Sequence, residues 1–203
     1  MFEVQSDKIM HDYLEKIGFT PSILEGIGTI SVYAATIEFW IERVIWKFEG
    51  ISVAGVRPRT DCKQISQLIK DLNDLQGTLY SAEVNEFIKK WCDIAKIAVE
   101  IRNTMTHGFP AGGVNSSAFY NNLRWEGELR KKEFSEFYAD ETNLSLLKQA
   151  FAILARSIIF LEKSSRDNLA IGPKSIFLRE FQTALSIVRE LRYQAEAVNS
   201  EKY

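Results

Sequence analysis

Arg102, Asn103 and His107 stand within one short stretch, Glu100-Ile101-Arg102-Asn103-Thr104-Met105-Thr106-His107-Gly108, and their types suit chemistry at a phosphate. A guanidinium keeps its positive charge and presents a fork of donors to phosphate oxygens. An imidazole can carry or release a proton near neutral pH. Where the phosphate is a diester in RNA, the 2′-hydroxyl is an internal nucleophile. His107 can then act as general base or acid while Arg102 stabilises charge on a phosphorane-like transition state. That reaction requires no metal. One such histidine per chain supplies half of an acid–base pair, which points to a homodimer with two copies of the stretch across its interface.

A long amphipathic helix must position these groups. Val84, Trp91, Ala95, Ala98, Arg102 and Met105 share one stripe at helical spacing. Gly108 and Pro110 are stop signals, so His107 falls at the last turn or just beyond it. The helix dipole disfavours an anion at this end, and an arginine one turn back offsets that with fixed positive charge. Arg102 lies among apolar residues, where a charge that cannot be shed needs a partner. Glu38, on an apolar stripe of another long helix, is the candidate supporting residue. A buried ion pair with no further role is the plain alternative.

Ser6 caps a short first helix closed by Gly18, and Ile9, Tyr13, Leu14 and Ile17 on one side predict a lid on the main bundle. Pro21 and Ser22 open the longest helix, which runs to about Phe48 on a stripe of Ile23, Ile27, Ile30, Ala34, Ile41 and Ile45. Its second apolar face, with Val32, Tyr33, Phe39, Trp40, Val44 and Trp46, predicts burial on more than one side. A third helix is expected from Asp61 to about Tyr80, and the fourth from Ser81 to His107. Beyond Pro110, AGGVNSS reads as a flexible loop. Alternation from Phe119 to Trp125 with a turn at Glu126-Gly127 predicts a hairpin completed by residues 128–132. A helix capped by Asp140, Thr142 or Asn143 carries Leu144, Leu147, Phe151, Leu154, Ile158 and Leu161 to an exit near Asn168. The last helix carries Phe177, Phe181, Ala184, Val188 and Leu191 before a polar tail. The expected fold is all-α: an antiparallel bundle of five to six helices with a small β-hairpin insertion. It forms a single domain over 1–203, with an N-terminal helical extension over 1–20 and the insertion over 111–140.

The chain has 203 residues, 46% hydrophobic and 26% charged, enough for one packed core. A net charge of −2 argues against coating nucleic acid through a general positive field. Local contacts remain: Arg57 and Arg59 on a stiff turn, and Arg124 and Lys131 in the hairpin, are candidate RNA contacts. A solvated loop and a lysine-protected sheet edge are the commoner meanings of these residues. Cys62 and Cys92 share no metal-ligand spacing with each other or with His11 and His107, so neither a metal site nor a cofactor is predicted. Both read as reduced thiols of a cytoplasmic protein. No export signal and no uninterrupted apolar run of membrane-spanning length is read from the sequence.

The run Arg102-Asn103-Thr104-Met105-Thr106-His107 resembles the R-x4-6-H signature of the HEPN superfamily, all-α bundles found in prokaryotic toxin and phage-defence ribonucleases. Asn103 matches the polar residue that commonly follows the arginine there. The resemblance covers about residues 22–107 and 142–198 and leaves the hairpin unexplained. It implies a dimeric, metal-independent endoribonuclease of a toxin–antitoxin or abortive-infection system, in which Arg102 and His107 are catalytic and Asn103 assists. An antitoxin protein would be a further partner. A non-catalytic HEPN-like module that binds a nucleotide or a protein is the alternative. Phe109 stands where some HEPN toxins have a tyrosine modified by a partner nucleotidyltransferase, so that regulation is not implied.

Overall fold

The computed structural model describes residues 2–52, 60–76, 81–113, 116–123, 128, 134–164 and 173–200, among which stand six helices and one antiparallel sheet. The helices are α1 (Phe2–Lys16), α2 (Pro21–Glu49), α3 (Ile65–Asp74), α4 (Ala82–His107), α5 (Glu141–Lys163) and α6 (Pro173–Ser200). The strands are β1 (Phe109–Gly113), β2 (Ser116–Asn121) and β3 (Ser135–Tyr138).

Helical periodicity becomes burial along the long helices. Ile23, Ile30, Ala34, Ile37, Ile41 and Ile45 of α2 are buried, as are Leu144, Leu147, Phe151, Leu154, Ile158 and Leu161 of α5, the helix against which α2 mainly packs. α4 lies between α3 and α6, and one hydrophobic cluster joins α2 through α6 and the sheet. α5 is the one described helix long and apolar enough to cross a membrane, and its apolar stripe lies inside the bundle.

α2, α4 and α5 each start where a side chain can satisfy a free N–H. Thr20 Oγ1 accepts from Ile23 N at 3.4 Å, Ser81 Oγ from Val84 N at 3.2 Å, and Asp140 Oδ1 from Asn143 N at 2.8 Å. Asn143 Nδ2 also donates to Tyr138 O at 3.1 Å, tying α5 to β3. Asp140→Ala is therefore expected to lower stability by about 1 kcal/mol, read as an earlier urea midpoint with an unchanged slope.

The sheet has the order β1-β2-β3, so residues 109–113, expected in part as a flexible loop, form an edge strand. An edge is where Pro110, which has no N–H to donate, is tolerated. The glycines answer to space. A Cβ on Gly112 would lie 2.0 Å from Ser116 O and 2.5 Å from Ile17 O, and Gly18 sits at φ +89° against Gly113 O. The end of α1 thus packs backbone to backbone on the hairpin. The partner of β2 on its far side is β3, and residues 129–132, expected to complete the hairpin, lie outside the described residues. The expected turn at Glu126-Gly127 lies outside the described residues.

The start of α2 and the end of α4 also gather at the sheet. Phe19, just ahead of α2, meets Phe119 edge to face at 5.0 Å, and a Cβ on Gly108, just past α4, would lie 3.1 Å from Phe119 Cβ. α2 begins, and α4 ends, at the same end of the bundle. Several boundaries differ from the sequence reading. α1 starts before Ser6, α3 is shorter, and α6 continues through the polar tail to Ser200. α5 ends at Lys163, where Lys47 Nζ donates to the carbonyls of Leu161, Glu162 and Ser164. The predicted lid does not form: every side chain from residue 6 to 13 is exposed, including Ile9 and Tyr13.

Candidate functional site

Arg102, Asn103 and His107 occupy the last two turns of α4, close to the sheet. The helix runs through His107, whose ring is exposed and has no hydrogen bond or ion pair among the described residues. The turn beneath it is held tightly. Gly108 N donates to Thr104 O at 2.9 Å, and Thr106 Oγ1 donates to Arg102 O at 3.1 Å. Buried Thr104 shares a hydroxyl hydrogen bond with Ser135 at 3.0 Å, which fastens the helix end to β3.

Arg102 and His107 are five residues apart, so their side chains leave α4 about 140° apart around its axis. Asn103 and His107, at i and i+4, share a face. Asn103 Oδ1 accepts from Arg102 Nη1 at 3.1 Å, which draws the half-buried guanidinium toward that face. Arg102 Nε is buried and has no acceptor among the described residues. An orphaned donor of this kind costs about 1–3 kcal/mol.

The expected partner of Arg102 is not Glu38. No ion pair joins the two residues among those described, and the level along the bundle explains why. α2 starts at the sheet end, so Glu38 lies roughly 26 Å along its axis, whereas Arg102 is roughly 8 Å from the same end on α4. Glu38 is half-buried and has no ion-pair partner among the described residues.

Arg57, Arg59, Arg124 and Lys131 all lie outside the described residues, so the structure assigns them no position. It brings other groups to the site instead. A cleft of about 370 Å³ between α4, β3 and α6 is lined by Asn103, Thr104, Asn121, Ser135 and Arg192. Arg192 pairs with Glu100 at 3.9 Å beside it. On the other side of Asn103, a groove of about 460 Å³ between α3 and α4 carries Lys70, Asn73 and Lys96. Lys96, Glu100, Asn103 and His107 follow one helical face, a signal present in their spacing. The contribution of Ser135 and Asn121 depends on strand pairing and had no local signal.

No family model, curated protein or solved structure matches the chain. The site's chemistry therefore rests on its own residues.

Trp46 and Trp91 are core, as their spacing predicts. Trp91 is fully buried with Nε1 donating to Leu154 O at 3.0 Å, and Trp46 Nε1 donates to Thr60 Oγ1 at 2.7 Å. His11 is exposed on α1, near Glu15. Both cysteines are free. Burial, with Asp93 and Asp74 adding to it, pushes the Cys92 thiol up, so it stays protonated and unreactive in the fold. Native protein at pH 8 is expected to bind one equivalent of a thiol reagent, at exposed Cys62, and unfolded protein two. Mass spectrometry of the labelled peptides checks this.

Proposed function

We propose that the chain is a metal-independent endoribonuclease of HEPN type, with Arg102 and His107 working in a cleft shared by two copies. The observation that carries this reading is the hydrogen bond from Arg102 Nη1 to Asn103 Oδ1. It turns the half-buried guanidinium toward the face that presents an exposed imidazole. A fixed cation beside a group able to exchange protons is what transesterification of RNA requires. The 2′-oxygen attacks phosphorus, a base takes its proton, and the 5′-oxygen leaves with a proton from an acid. The products are a 2′,3′-cyclic phosphate and a 5′-hydroxyl.

Within one chain the imidazole and guanidinium diverge around α4, and a second copy supplies the other half of the acid–base pair. Asn103 acts as a positioning residue for Arg102. A role in a toxin–antitoxin or phage-defence system in the cytoplasm, with an antitoxin partner, follows from the resemblance of the Arg102–His107 run to that superfamily. RNA incubated with the protein in EDTA should yield fragments ending in a cyclic phosphate. Intact RNA, with the protein folded and freed of any inhibitor, overturns the proposal.

The two clefts flanking Asn103 favour a second reading, a non-catalytic module that binds a nucleotide or a protein partner. A melting temperature raised by a nucleotide while RNA stays uncut would select it.

A further inference from the structure

Two apolar faces that the sequence predicts to be buried are left open by the single chain. On α1, Ile9, Met10 and Tyr13 are 61%, 56% and 45% exposed, and among its described side chains the helix meets the core through Leu14 and Ile17 at its base. A helix of this length is marginal by itself in water, so α1 needs a packing partner. On α2, Gly28, Val32, Ala35 and Phe39 form an exposed stripe at the 4-3-4 spacing of a helix-pairing seam, with Val32 64% and Phe39 51% exposed.

Gly28 sharpens the case. It lies inside a helix, where glycine is unfavourable, and a Cβ there would meet nothing within 4 Å. Nothing in the single chain requires it. A second helix lying close along the stripe would.

We propose that two copies of this chain associate by exchanging arms, the Ile9/Met10/Tyr13 face of each α1 packing on the Gly28–Phe39 stripe of the other copy's α2. Both complementary surfaces belong to one chain, which is the condition for a closed, two-fold pair. Five large apolar side chains per copy, each about half exposed, bury on the order of 1,000 Å² in such a pair, the size a specific interface needs.

The inference does not depend on ribonuclease activity, because its readout is mass. Sedimentation of the full chain is expected to give a dimer. Ile9→Glu/Tyr13→Glu and Val32→Glu/Phe39→Glu should each sediment as monomers while retaining a cooperative melt. An equimolar mixture of the two variants should associate measurably where neither does alone, though more weakly than wild type, because one wild-type α1 again meets one wild-type α2. Gly28→Leu, at an open helical position that favours folding, should weaken association at least tenfold. A monomeric wild type, a variant that stays dimeric, a mixture that stays monomeric, or unchanged association in Gly28→Leu overturns the proposal.

Discussion

His107→Ala is expected to lower RNA cleavage by about 10²- to 10⁴-fold, the usual contribution of a positioned acid or base, and to leave stability within about 0.5 kcal/mol. The ring is exposed and makes no hydrogen bond among the described residues, so the fold has nothing to lose with it. Cleavage assays and urea unfolding on the same preparation test both halves. Arg102→Met makes the complementary prediction. Its loss should cost cleavage about 10²- to 10³-fold, as for removal of one oxyanion donor. Stability should hold or rise, because the substitution removes a buried Nε–H that has no acceptor among the described residues. On the proposed reading, Arg102 weakens the fold while it is present and is retained for its chemistry. If Arg102→Met unfolds the protein, the guanidinium is structural.

Trp91→Ala carries the largest expected effect on stability. The side chain is fully buried in α4, and its indole N–H reaches across to Leu154 O on α5. Truncation leaves a large cavity, which costs about 3–5 kcal/mol, while Leu154 O keeps the hydrogen bond it accepts from Ser157 Oγ. Against a total of about 5–15 kcal/mol, that removes much of the stability. Trp91→Phe, which keeps most of the ring volume, should recover more than half of the loss. Thermal melts of the two variants decide between packing and some special role for the indole.

The long helices were legible because burial repeats at the period of the helix, and caps such as Ser81 and Asp140 mark where it begins. The end of α4 at His107 was legible for the same reason. The pairing of Arg102 with Glu38 was misread because periodicity gives an angle around an axis and says nothing of the level along it. β1 was hidden in FPAGG, whose proline and glycines read locally as a loop. Its strand geometry comes from pairing with β2 and from the approach of Ile17 and Gly18, which are distant in sequence. Val32, Phe39, Ile9 and Tyr13 were expected inside, and the chain by itself does not cover them.

Gly108 is the whole connection between α4 and β1. A joint of one residue, with no room for a Cβ beside Thr104 O, holds no slack. The hairpin and the last turn of α4 must therefore move as one lever. Anything that grips or tilts the sheet re-aims the His107 ring directly, and an added residue at the joint would uncouple the two.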